Sequence, residues 1–183
     1  MYLDSIYENE GYSLSWRLLN IVAGRGAGKS YQTRQLAEKV ALYCDASVAM
    51  VFEDKYKLEY ICGEYFSEWK KDTEFSIVKP GWEKKVFLYP QKDDCFMEKT
   101  IDLLIVDDAL EIKTKHLEGY LNMLESGQVK RIITNFHNKK CKQSEMLLWH
   151  EEARNLFLYS RDYLGQLDCP KFINLFKKHG KEK

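Results

Sequence analysis

Proline is scarce in this chain, with 3 in 183 residues, while aromatic residues are plentiful (12 Tyr, 9 Phe, 4 Trp). That pairing excludes a disordered, linker-like polymer. Net charge of either sign is also missing, because 28 basic residues balance 28 acidic ones. The whole surface is therefore no field for a polyanion, and any nucleic-acid contact must come from a local patch. No apolar run approaches the roughly 18 residues of a membrane span, and the start lacks a signal-peptide pattern. Those absences predict a soluble, intracellular protein with no membrane partner. There is no C-x-x-C pair: the five cysteines (Cys44, Cys62, Cys95, Cys141, Cys169) are odd in number and widely spaced. Thiols used as small hydrophobes in a reducing compartment fit that pattern. The four histidines show no zinc spacing. His137 and Cys141 stand four apart and could share a helix face, but a structural zinc needs two ligands more. Repeats and low-complexity linkers are lacking too, which predicts one domain over residues 1–183, its charged tail at 177–183 frayed.

What the chain does have is Asn20-Ile-Val-Ala-Gly-Arg-Gly-Ala-Gly-Lys-Ser30, an apolar strand running into a glycine-rich loop that ends in Lys-Ser. Such a loop wraps backbone N–H groups around a nucleotide's phosphates. Lys29 can reach the β and γ oxygens, and the Ser30 hydroxyl can ligate Mg²⁺. Gly24, Gly26 and Gly28 permit dihedrals and close approaches that a Cβ would obstruct. The helix starting at Lys29 adds the positive end of its dipole. Three alternating glycines before Lys-Ser exceed what a simple turn requires. The strict pattern G-x-x-x-x-G-K-[ST] places glycine at position 23, where this chain has Ala23.

Strand signals fall at Leu18–Val22, Ser47–Phe52, Leu103–Val106, Arg131–Thr134 and Asn155–Tyr159. Helical patterns lie between them at Ser30–Tyr43, Lys57–Lys70, His116–Leu124 and Ser144–Ala153, the first placing Leu36, Val40 and Tyr43 on one face. Alternation of this kind predicts an α/β fold whose mainly parallel sheet is covered by helices on both faces. Glu74–Lys79, Pro80-Gly81-Trp82 and Lys85–Tyr89 read as an inserted β-hairpin.

Ile101-Asp-Leu-Leu-Ile-Val-Asp-Asp108 is a second motif, a continuous apolar run ending in two carboxylates. Such a run suits a central parallel strand, and its carboxyl end emerges where ligands bind in open α/β sheets. Asp107 is placed to support Mg²⁺ opposite Ser30, and Asp108 to polarise an attacking water. The long interval between the two motifs holds at least one strand. An additional strand between the two motif strands would mark nucleotidases that carry an acidic residue beside the metal ligand. The third element, Arg131-Ile-Ile-Thr-Asn135, can present Thr134 or Asn135 as a sensor of the γ-phosphate. Arg131 stands at the far end of that strand. It is read equally as a solvated strand-start residue or as an arginine acting in trans on a neighbouring subunit's nucleotide. Lys139, Lys140 and Lys142 form a basic cluster, either a solvated loop or a contact to DNA phosphates.

Ala23-Gly-Arg-Gly-Ala-Gly-Lys-Ser30, with Arg25 inside the loop, resembles the phosphate loop of viral DNA-packaging motors: the ATPase domains of large terminases and the smaller packaging ATPases of short-genome tailed phages. The resemblance extends to Arg17-Leu-Leu-Asn20, to Tyr31, to the hairpin, to the strand ending in Asp107-Asp108 and to the basic residues before Thr134-Asn135. It implies a P-loop NTPase of the additional-strand, acidic-residue (ASCE) type. The nucleotide site would run from Ala23 through Gly24, Arg25, Gly26, Ala27, Gly28, Lys29 and Ser30 to Tyr31. Lys29 and Ser30 would hold phosphate and Mg²⁺, with Asp107 supporting the metal. Arg25 would couple hydrolysis, and Arg131 lies near the family's trans-acting arginine. Asp108 stands where the family usually has glutamate and is one methylene shorter. The implied function is ATP-driven translocation of double-stranded DNA by a homo-oligomeric ring docked on a viral portal or procapsid in the host cytoplasm. The short stretch after Asn155–Tyr159 predicts no nuclease domain within this chain, as expected either of an isolated motor domain or of a virus that packages a unit-length genome needing no cutting. A helicase-loader-like ATPase and a weakly hydrolysing, ATP-gated assembly protein are the alternatives.

Overall fold

A single eight-stranded sheet organises the computed structural model, which describes residues 16–158 apart from 25, 44–45, 82–84 and 92–99. In chain order the elements are β1 (Leu18–Ala23), α1 (Lys29–Tyr43), β2 (Val48–Phe52), α2 (Lys55–Tyr65), β3 (Lys70–Thr73), β4 (Ser76–Val78) and β5 (Lys85–Pro90). There follow β6 (Leu103–Val106), a 3-10 turn at Ala109–Glu111, α3 (Thr114–Glu125), β7 (Ile132–Phe136), α4 (Lys142–Leu148) and β8 (Ala153–Leu158). Across the sheet the strands run β3-β4-β5-β2-β6-β7-β1-β8. All neighbours from β5 to β8 are parallel, while β3–β4 and β4–β5 are antiparallel. The expected hairpin is thus β4 and β5, widened at the sheet edge by β3. An additional strand does lie between the two motif strands β1 and β6, but it is β7, from later in the chain; β2, the strand within the interval between the motifs, lies on the far side of β6.

The central strands β2 and β6 are apolar throughout because both of their faces are covered. Leu19, Ile21, Met50, Phe52, Leu103 and Ile105 meet Leu36 and Val40 of α1 and Ile61 of α2 on one side. Alternate residues Leu18, Val22, Ala49, Val51, Leu104 and Val106 meet Leu117, Tyr120 and Leu124 of α3 and Leu147 of α4 on the other. Every side chain of β6 is buried. Full burial of such residues contributes about 2 kcal/mol each relative to exposure. Leu36 and Val40 share the buried face of α1 as expected; the Tyr43 side chain lies outside the described residues.

Two helices end earlier than their sequence patterns suggest. The second stops at Tyr65, not Lys70, because Phe66 and Trp69 turn inward and pack edge-to-face with ring centroids 5.6 Å apart. The fourth stops at Leu148, and Ala153 already belongs to β8, paired in register with Leu18. The expected strand at Asn155–Tyr159 therefore begins two residues sooner. His137 and Cys141 do not share a helix, since α4 starts at Lys142. Among the described residues no cluster of three metal-ligating side chains occurs, and none of the helices is long and apolar enough to cross a membrane. Residues 177–183 lie outside the described residues.

Candidate functional site: a phosphate-loop cleft

Carboxyl ends of β1, β2, β6 and β7 converge on one edge of the sheet, the edge where ligands bind in open α/β folds. A cleft of about 510 Å³ opens there. Its floor is the loop Gly26–Ser30 with Tyr31, and its walls carry Glu53, Lys57, Tyr65, Asp108, Glu111 and His137. Gly26 and Gly28 both have φ near +75°, a conformation that explains glycine at these two positions. Ala23 fits as the buried last residue of β1, so the departure from the strict motif is absorbed as core packing. Arg25 lies outside the described residues.

Lys29 turns back on its own loop. Its Nζ donates to the carbonyls of Ala23 (3.0 Å) and Gly24 (2.9 Å). Burial pushes the Lys29 ammonium below its ordinary pKa, against the opposing pull of Asp108 and Asp107. A buried cation whose hydrogen bonds go only to neutral carbonyls gains by exchanging them for an anion.

Asp107 and Asp108 point to different surroundings. Asp107 is fully buried. Its Oδ2 accepts from Arg34 Nη2 at 3.0 Å and its Oδ1 from Asn135 Nδ2 at 2.7 Å. Arg34 reaches it from α1, with its guanidinium 4.2 Å above the ring of Tyr65 and its Nε lacking a hydrogen-bond partner. Asp108 is half-exposed on the cleft wall, where its carboxylate meets the Lys57 ammonium. Its backbone is left-handed, at φ 49° and ψ 56°. Aspartate and asparagine enter that region far more readily than longer side chains do. This conformation gives a physical reason for aspartate, not glutamate, at position 108.

Of the two sensor candidates on β7, Asn135 is buried directly behind the cleft wall, hydrogen-bonded to the Asp107-Asp108 turn, and Thr134 is not. Asn135 touches Asp107, accepts from the Asp108 backbone N–H at 3.0 Å and donates to Thr33 Oγ1 at 3.2 Å. Thr134 instead donates to Asn20 Oδ1 at 2.6 Å, inside a buried ladder that continues to Asn155 and the Leu147 carbonyl. Arg131 sits before β7 at the opposite edge of the sheet, half-buried, its Nε without a hydrogen-bond partner. It is remote from the cleft of its own chain. Lys139 and Lys140 are exposed in the β7–α4 loop, and Lys142 of α4 lies 3.4 Å from Glu118.

Arg34 and Lys57 escaped the sequence reading, though each left a signal. Arg34 is a cation on the same helical face as Ala37 and Ala41, where burial demands a partner. Lys57 lies in the first turn of α2, where the helix dipole disfavours positive charge.

Hard oxygen donors in small number, the Ser30 hydroxyl on the cleft floor and the Asp107 carboxylate behind it, suit Mg²⁺, which keeps water and phosphate oxygens as most of its ligands. They would not suit a soft metal.

No family model and no curated protein sequence matches the chain. Solved structures do. The large terminase ATPase domain of Thermus phage P74-26 superposes with a TM-score of 0.56 at 14% identity, covering 84% of this chain and 78% of that one. The large terminase of a second thermophilic bacteriophage gives 0.59 at 10% identity, over 97% of this chain and 48% of the terminase. The same terminase in complex with ADP gives 0.57 at 10% identity, over 96% and 47%. At such identities the likeness defines the fold. The chain has the P-loop NTPase fold of the ASCE type, and its structural neighbours are phage large terminase ATPase domains.

Proposed function

We propose that this protein is an ATP-hydrolysing motor that translocates double-stranded viral DNA into a procapsid. The observation that carries the proposal is the convergence of the Gly26–Ser30 loop and Asp108 on one cleft, with Asp107 and Asn135 buried and hydrogen-bonded to each other directly behind it. In that reading Lys29, with Arg25, holds the triphosphate, Ser30 and Asp107 hold Mg²⁺, Asp108 orients the attacking water and Asn135 reports on the γ-phosphate. Mg²⁺ supplies charge neutralisation at the phosphates. Arg131 acts in trans across a homo-oligomeric ring, Lys139, Lys140 and Lys142 meet DNA, and the ring docks on a portal in the host cytoplasm.

ATP turnover with and without double-stranded DNA tests the proposal. Stimulation by DNA, abolished in Asp108→Ala, is expected; turnover absent, or unchanged in that variant, defeats the motor reading. Mixing Arg131→Ala with Asp108→Ala subunits should restore part of the activity if arginine acts in trans.

A second reading, an ATP-gated assembly protein that scarcely hydrolyses, draws on the engaged state of both carboxylates: Arg34 and Asn135 occupy Asp107, and Lys57 occupies Asp108. Tight ATP binding with negligible turnover under all DNA conditions would select it.

A further inference from the structure

Two described lysines line the cleft, Lys29 on its floor and Lys57 on its wall. Lys57 belongs to the first turn of α2, a turn that holds no acidic residue. A lysine there works against the helix dipole, so its placement calls for an anion nearby. Its main chain is fixed, because the Lys57 N–H donates to Oδ1 of the capping Asp54 at 2.8 Å. Its side chain is about three-quarters buried, and its ammonium pairs with Asp108.

We propose that Lys57 is a phosphate-sensing residue that holds Asp108 when the cleft is empty and transfers to the terminal phosphate of a bound nucleoside triphosphate. The inference rests on the nucleotide-binding reading above and adds to it a residue and a switching step. Lys57 and Asp108 face the same cleft as the phosphate loop, so a terminal phosphate there lies in competition with the carboxylate. The phosphate carries more negative charge and more acceptor oxygens, and it wins the exchange. Asp108 is thereby released to orient water only when the third phosphate is present. A diphosphate leaves the Lys57–Asp108 pair intact. Hydrolysis is thus matched to triphosphate occupancy by a lysine of the same chain.

Equilibrium binding of a non-hydrolysable ATP analogue and of ADP, each with Mg²⁺, to the full chain and to Lys57→Met tests this. Methionine keeps the apolar stem and removes the charge. We expect affinity for the analogue to fall about fivefold, the preference of the ammonium for phosphate over the carboxylate it leaves, and affinity for ADP to stay within about twofold. Lys57→Arg should recover most of the discrimination. An unchanged analogue-to-ADP ratio in Lys57→Met, with wild-type binding intact, overturns the inference and leaves the proposed function standing. Failure of the wild type to bind either nucleotide overturns both.

Discussion

Arg34→Met is the most demanding test of the cleft's architecture. Arg34 and Asp107 form an ion pair at 3.0 Å with side-chain exposures of 7% and 0%. Removing the guanidinium leaves a carboxylate that water cannot reach, supported by one hydrogen bond from Asn135. Breaking a buried pair from one side costs about 3–5 kcal/mol, because the stranded charge keeps its desolvation penalty. The contact of Arg34 with the Tyr65 ring adds about 0.5–2 kcal/mol. Methionine returns part of this through apolar packing, and the Nε that lacks a partner in the native protein disappears with the substitution. A net loss of about 3 kcal/mol is the balance, equivalent to a fall in Tm of about 6–12 °C for a chain of this size. Urea unfolding of Arg34→Met, Asp107→Asn and the double variant measures the coupling directly. Each single variant should be markedly destabilised, and the double variant less so than their sum by about 2 kcal/mol. Additive effects, or a loss below about 1 kcal/mol for Arg34→Met, would refute the assignment of a buried, mutually dependent pair.

Asp108→Asn keeps the tolerance for left-handed backbone, so its melting temperature should stay close to the wild type while ATP turnover falls about a hundredfold; a turnover loss below about threefold would remove Asp108 from the chemistry. Thr134→Val and Asn135→Ala separate the two faces of β7. The first should lower stability by about 1 kcal/mol with nucleotide affinity unchanged, and the second should lower both, read by urea unfolding and analogue binding. Asp102 joins the opposite ends of β2, β6 and β7. Partial burial pushes its pKa up, but hydrogen bonds from Lys130 and from the Ser47 backbone and hydroxyl outweigh it and hold the group below its ordinary value. Its contribution, about 1 kcal/mol after solvent screening, is complete above the unfolded value near 3.8 and is lost as pH falls through the lower folded value. The stability difference between wild type and Asp102→Asn should therefore shrink on acidification below that point, and a difference constant from neutrality to the end of the acid titration would contradict the linkage.

The mainly parallel sheet and the phosphate loop were legible in the sequence because each rested on a pattern with one physical solution. The run Leu103–Val106 can be a strand only if both faces are covered, and a loop of alternating glycines before Lys-Ser has a backbone role no other residues fill. Helix ends were less legible. Tyr65 and Leu148 close their helices because Phe66 and Ala153 are claimed by tertiary packing and strand pairing, and neither claim has a local signature. The partners of the carboxylates were hidden for a related reason. Arg34 meets Asp107 across 73 positions of chain and Lys57 meets Asp108 across 51, so neither follows from spacing. Only the discomfort of each cation in its own helix hinted that a partner existed.

That discomfort also bears on how the cleft fills. Lys29 is committed to two carbonyls, Arg34 to Asp107 and Lys57 to Asp108, so each of these cations already has an acceptor within the chain. Phosphate entry is then an exchange of partners and not the neutralisation of bare charge. Exchange conserves hydrogen bonds, and its driving force is the difference between acceptors. The difference is greatest for Lys29, whose carbonyl partners are neutral, and smaller for Lys57, whose partner is already an anion. It is least for Arg34, whose partner is a fully buried carboxylate. The three cations therefore form a graded series. Lys29 would bind any phosphate chain, Lys57 would answer to the terminal phosphate, and Arg34 would stay with Asp107 to hold the end of β6 in place.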